Sequence, residues 1–192
     1  MTTMREAVRQ YFEDNGFGAD GGYAAAWVDF KLGPLPFPLP NTDARRKAVK
    51  FHDLNHVLTG YRTDLRGEFE ISAWEIGAGC RDFWAAWALN LSGMVGGLFT
   101  SPLRTWRAFV AGRRSTAAYA LDYEQAMSTD VEVVREKLGV TTAAGAKASD
   151  VLLFPLALGA GLVIGTLGLV VLLSPITLAL WWRGRRLQRA AA

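Results

Sequence analysis

The chain has 192 residues, a mass of 21.0 kDa, and 51% apolar against 20% charged residues, which fits one folded domain with a little over and excludes both a disordered chain and two full-sized domains. Its single cysteine, Cys80, and its two histidines, His52 and His56, exclude a disulfide framework and a four-cysteine zinc site. The net charge of +3 resides in the tail, where four arginines follow residue 182; all the acids lie before residue 151, so the folded part lacks the basic stripe that nucleic acid requires and no nucleic-acid partner is expected.

The first fifteen residues mix acids and arginines without an apolar run, which predicts no signal peptide and a short amphipathic helix over 3–14. Gly16, Gly18, Gly21 and Gly22 end it. Prolines 34, 36, 38 and 40 alternate through GPLPFPLP, which forbids a helix and predicts an extended, polyproline-like strut. Asn41 and Thr42 then offer an N-cap and Gly60 a stop, so a helix is predicted over 43–59. A charged loop over 61–67 leads into a helix predicted from 68 to about 91. Its continuation, the charge-free stretch 83–100, reads as a buried core helix, with lipid contact as the alternative. Helices are predicted at 103–112 and 116–138, and a linker at 140–149. No alternating strand of useful length is evident. The expected fold class is all-α: a compact multi-helix domain over 1–149, followed by a hydrophobic membrane segment and basic tail over 150–192.

Residues 151–182 contain no charged side chain, which predicts a membrane segment. Trp181 and Trp182, followed by Arg183, Arg185 and Arg186, form an aromatic and basic interface anchor. A straight helix of that length measures about 48 Å, against a hydrocarbon core of about 30 Å. Either one tilted span or a hairpin turning near Gly165 or Gly168 satisfies the sequence. The arginines place the tail on the cytoplasmic side, and a cytoplasmic main domain favours the hairpin.

Chemistry concentrates in one place. His52, Asp53 and His56 form an HDxxH run inside the 43–59 helix. At 100° per residue the two imidazoles lie about 40° apart, a chelating arrangement, and Asp53 projects from the same side. Ala48 and Val49 share that side, so it faces inward. Glu68 follows after a break at Gly60 and Gly67, and the loop can fold it back against the helix. Two nitrogens and up to two oxygens suit zinc, and equally ferrous iron. Glu75 lies on the face of Glu68. It reads either as a carboxylate that orients an imidazole or as an acid paired with Arg81 or Lys50.

The segment HDLNHVLTGYRTDLRGE carries a resemblance. Its His-Asp-x-x-His pattern, followed by eleven residues and then Glu, resembles the signature of the Coq-four family of ubiquinone (coenzyme Q) biosynthesis proteins. GLFTSPLRTW at 97–106, AGRR at 111–114, YEQ at 123–125 and REKLGV at 135–140 resemble that family's C-terminal half. The resemblance covers about residues 40–140, and the hydrophobic tail departs from it. It implies a helical fold, a zinc ion held by His52, Asp53, His56 and Glu68, and a polyprenylated aromatic quinone precursor as substrate. It also links the family to oxidative decarboxylation at ring carbon one of the head group, and to a scaffolding role among quinone-biosynthesis enzymes.

Two functions follow as expectations. One is a metal-dependent decarboxylase at the membrane, with Asp53 and Glu75 as candidate catalytic residues and Trp84, Trp87 and Arg113 as candidate substrate contacts. The other is a non-catalytic lipid-binding scaffold, or an equivalent role on another isoprenoid lipid. Trp84 and Trp87 serve equally as core, and Arg113 and Arg114 as a solvated loop. Cys80 reads as a buried packing thiol. The apolar surface is compatible with a homodimer.

Overall fold

The computed structural model describes residues 1–32, 35–175, 178–179 and 181–182. The fold class is all-α, as the sequence predicts, with eight α-helices and one short two-stranded ribbon among the described residues. Helix α1 (Met4–Asn15) opens on a capping box between Thr3 and Glu6 and closes on Gly16, which takes the left-handed conformation at φ 67°. Met4, Val8 and Phe12 recur every fourth residue and are buried. Helix α2 (Asp43–Thr59) starts on the Thr42 cap and ends at Gly60, both as expected.

The ribbon is unforeseen. Strand β1 (Trp27–Leu32) pairs antiparallel with β2 (Leu35–Pro40), so the alternating prolines lie in a strand and not in a lone strut. The Asn41 N–H donates to the Ala26 carbonyl at 2.9 Å and sets the inward-facing backbone positions as the odd-numbered ones. The nitrogens of Pro36, Pro38 and Pro40 therefore fall on the outer edge, where a missing N–H costs nothing. Pro34 lies outside the described residues.

The helix expected over 68–91 is two helices. Helix α3 (Leu65–Ala78) starts three residues early, because the Asp64 carboxylate accepts from the Gly67 N–H at 2.9 Å. It ends before Gly79 (φ 93°) and Arg81 (φ 49°), two positive-φ residues that an α-helix does not contain. Helix α4 (Trp84–Thr100) then begins afresh. The charge-free stretch is only half core. Asn90, Leu91 and Met94 are buried, whereas Trp84, Leu89 and Phe99 are exposed. Helix α5 (Pro102–Gly112) carries its proline in the first turn. The helix expected over 116–138 also divides, into a 3-10 turn (Ala118–Ala120), α6 (Tyr123–Met127) and α7 (Val131–Leu138). The carboxylates of Asp122 and Asp130 cap new starts and so break the run.

Helix α3 lies at the centre, between α4 and α5. Trp74 is wholly buried and donates from Nε1 to the Thr141 carbonyl at 2.8 Å. The α3–α5 approach is close enough to need glycine on both sides. A Cβ on Gly77 would lie 2.3 Å from the Phe109 carbonyl oxygen, and one on Gly112 2.0 Å from that of Trp74.

Helix α8 (Ala148–Leu172) runs unbroken through Gly165 and Gly168, so the hairpin turn expected there does not form. It is long and apolar enough to cross a membrane, and little of it is buried. Its start is tied down by Asp150, a fully buried carboxylate that accepts from Arg114, Arg113 and the Lys147 N–H. Phe154 packs edge-on against Trp106 and Phe109, and Gly161 meets the Leu91 backbone. The helix breaks at 173–174, ahead of Pro175. The arginines read as an interface anchor lie outside the described residues.

The glycine contact makes a direct test. Gly112→Ala forces α3 and α5 apart and is expected to cost about 1–3 kcal/mol, read as a lowered urea midpoint with an unchanged slope.

Candidate metal centre

Helix α2 fixes His52 and His56 one turn apart, and the loop after Gly60 returns the chain so that α3 begins beside them. That return is tight. A Cβ on Gly67 would lie 2.0 Å from the Arg62 carbonyl oxygen, so only glycine fits and Glu68 is set directly behind it. The Glu68 carboxylate lies 3.4 Å from the Nε2 atoms of both His52 and His56. The two Nε2 atoms lie 3.1 Å from each other. His52, His56 and Glu68 form a group that can hold a metal ion. A divalent ion with bonds of about 2.0–2.1 Å separates neighbouring donors by about 3.0–3.4 Å, which these spacings match.

The other ring nitrogens decide the protonation. The Nδ1–H of His56 donates to the Tyr61 carbonyl at 2.8 Å, and a carbonyl only accepts. The Nδ1–H of His52 donates to the Glu75 carboxylate at 2.9 Å. Both Nε2 lone pairs therefore point at the same spot. Two lone pairs 3.1 Å apart repel unless a positive charge, a proton or a metal ion, lies between them. This is the arrangement in which outer hydrogen bonds fix the tautomer and aim the ligand. Tyr11 stacks on the His56 ring with centroids 5.6 Å apart and fixes its plane.

Glu75 is the acid that orients an imidazole. It is completely buried and pairs with neither Arg81 nor Lys50. Besides His52 it accepts from Asn55 Nδ2 and the Tyr119 hydroxyl, each at 2.7 Å, and from Asn90. It does not face the three converging donor atoms directly, so its part is positioning. Burial works to raise its pKa, but His52, Asn55 and Tyr119 outweigh burial and hold it below the ordinary carboxyl value. Glu68 behaves likewise: burial pushes up, and hydrogen bonds with His52 and His56 pull it down to about 2. Burial alone would lower His52, yet the charges of Glu75 and Glu68 raise it well above its ordinary value.

Asp53 departs from the expected ligand set. Its oxygens are taken by the hydroxyls of Tyr11, at 3.4 Å, and Tyr23, in a short bond. It is not among the residues whose donor atoms converge. The reason is helical geometry: one residue past His52, the side chain turns about 100° and meets α1 and the 20–24 loop instead. Nor do Trp84, Trp87 and Arg113 join the donor cluster. Trp87 and Arg113 line a groove of about 300 Å³ with Ile76, Leu91 and Phe109, and Trp84 is exposed. Cys80 is buried and free, as expected, and burial raises its thiol pKa.

Sequence reasoning passes over Asn55, Asn90, Tyr119 and the Tyr61 carbonyl. Asn90 alone left a signal, as the one amide in a charge-free apolar helix. The other three are placed by tertiary contact and leave none. In comparisons with protein-family models, curated proteins and solved structures, the chain matches none.

Three outcomes are expected. Asp53→Asn retains one metal ion per chain in elemental analysis, whereas Glu68→Ala and His56→Ala lose it. Glu75→Gln lowers stability, because its amide nitrogen cannot accept from the buried donors, and weakens metal affinity about 10- to 100-fold in the protein that remains folded, measured by competition with a chelating dye. The raised pKa of His52 favours its protonated form in the metal-free protein, so metal uptake releases protons and weakens as pH falls; calorimetry in buffers of different ionisation heat reads the release.

Proposed function

We propose that the chain is a membrane-associated, metal-dependent protein of ubiquinone biosynthesis. It acts on the polyprenylated hydroxybenzoate head group, replacing the carboxyl at ring carbon one by a hydroxyl. The three-donor cluster carries this reading. Three protein ligands leave coordination positions open, as catalytic sites do and closed structural sites do not. Two imidazoles and one carboxylate suit zinc, and they are equally the donor set of ferrous-iron oxygenases. The substrate class comes from the resemblance of HDLNHVLTGYRTDLRGE to the Coq-four signature.

A bound divalent ion supplies a Lewis acid for the carboxylate or phenolate oxygen of the head group, and ferrous iron supplies electron exchange as well. The chain supplies the rest. His52 and His56 present neutral Nε2 atoms because Glu75 and the Tyr61 carbonyl hold their other protons. Glu68, at 28% side-chain exposure, forms the open edge where a head group enters. The reaction releases the carboxyl as carbon dioxide. One atom of dioxygen enters the ring hydroxyl and the other leaves as water, with two electrons and two protons drawn from a reductant. Helix α8 holds the domain at the membrane, where the substrate dissolves, among the other quinone-biosynthesis proteins.

A scaffold is the second reading. The groove beside α8, lined by Trp87, Phe109 and Arg113, fits a lipid tail without any chemistry.

The deciding experiment incubates purified protein, loaded with zinc or with ferrous iron, with a polyprenylated hydroxybenzoate in vesicles under oxygen and a reductant. Hydroxylated product and carbon dioxide, lost in His56→Ala, support the enzyme. Stoichiometric lipid binding with no turnover by either metal form replaces it with the scaffold. No retained metal in folded protein overturns the enzyme.

A further inference from the structure

We propose that the main domain is itself embedded in the bilayer, with the outer face of α4 as a second lipid-facing surface beside α8 and lipid acyl chains as its occupant. The proposal rests on the reading of α8 as a membrane helix and extends it from an anchor to a docking plane.

The argument starts from where α8 is attached. It packs on the domain through Phe154, Ala157, Leu158, Gly161, Ile164 and Gly165, while Leu162, Val163, Leu167, Leu169 and Val170 are exposed. Gly161 abuts the Leu91 carbonyl and Val95, and Gly165 abuts Ser92. Gly161 lies about 16 Å along the helix from Asp150. A helix that enters the hydrocarbon at the Asp150 end has its α4 contact well inside a layer of about 30 Å, and α4 must lie there with it.

Helix α4 is built for that place. At 100° per residue Trp84, Ser92, Val95 and Phe99 fall within about 80° of one another, on one face. Helix α8 covers the middle of that face, at Ser92 and Val95. Trp84 and Phe99 project from its two ends, 67% and 84% exposed. Whatever surrounds α8 therefore surrounds them. Leu103, 57% exposed at the start of α5, extends the surface. The sequence from 83 to 103 holds no charge, and charges resume at once on both sides, at Arg81 and Asp82 and at Arg104. A surface without charge, continuous with a membrane helix and bounded by charges, matches acyl chains better than a protein partner with a polar rim.

The opposite face of α4 holds Asn90, which donates to Glu75, which in turn orients His52. One carboxylate thus separates the lipid-facing helix from a metal ligand. A substrate whose tail stays in the bilayer reaches the centre without leaving it.

The test places an environment-sensitive nitrobenzoxadiazole dye on the full-length chain at Trp84→Cys, Phe99→Cys, Leu103→Cys, Leu167→Cys and Val133→Cys, one at a time. Buried Cys80 is left in place, and the unsubstituted chain is the labelling blank. All five positions are exposed, so the core is unchanged. In phosphatidylcholine–phosphatidylglycerol vesicles the expected result is blue-shifted emission, and loss of fluorescence with spin-labelled acyl chains, at 84, 99, 103 and 167 but not at 133. Quenching at 167 with 84, 99 and 103 in water overturns the embedded domain and leaves the α8 anchor standing. Shielding at 84 and 99 without lipid quenching assigns the face to a protein partner and also overturns it. No quenching at 167 removes the membrane reading of α8, and the proposal with it.

Discussion

The carboxylate of Glu75 is the point on which the rest of the structure depends. A charge buried in a protein interior costs several kcal/mol unless it is met by donors. Here four groups from three segments meet it: His52 and Asn55 from α2, Asn90 from α4, and Tyr119 from the 3-10 turn. Each donor would in turn be left unsatisfied without the carboxylate. The acid therefore locks α2, α4 and the 118–120 turn around α3, and aims one imidazole as it does so. Asn55 spans further, since its Oδ1 accepts the Ala118 N–H at 2.8 Å.

Around that lock the fold is arranged in two zones. On the α2 side, aromatic and polar groups surround the histidines. Tyr11 stacks on His56, Tyr11 and Tyr23 hold Asp53, and Lys50 sits over the rings of Tyr23 and Tyr123. On the α4–α8 side the surface is aliphatic and aromatic with few polar groups. The ion cluster of Asp150 with Arg113 and Arg114 stands at the root of α8 and fixes the direction in which that helix leaves the domain. Breaking one partner of a buried pair leaves an uncompensated charge, so this root resists rearrangement.

Where sequence and structure part, the reasons are local and physical. Both helices read as too long, over 68–91 and 116–138, were continuous in hydrophobic pattern but cut by backbone devices. Gly79 and Arg81 turn the chain with positive φ, and Asp122 and Asp130 offer carboxylates that compete with helix continuation. The ribbon was hidden because its second strand is proline-rich. Its antiparallel register happens to place every described proline nitrogen on the outer edge. Asp53 was grouped with the histidines by sequence adjacency, and Tyr11 and Tyr23, from far along the chain, divert it.

The sequence by itself determined what depends on nearest neighbours and on composition. It set the all-α class, the 43–59 helix with its Thr42 and Gly60 ends, the pairing of His52 with His56 one turn apart, and an apolar segment long enough to cross a membrane. These follow from helical periodicity, caps and hydropathy, which act over a few residues. Only the tertiary structure decided that Glu68 closes the cluster while Asp53 does not, that Glu75 is an orienting acid, and that α8 lies against α4 without a turn at Gly165 or Gly168. Each of those depends on contacts between residues far apart in the chain. Burial, steric fit at a glycine, and the need of a buried charge for donors decide them, and no short-range pattern encodes such terms.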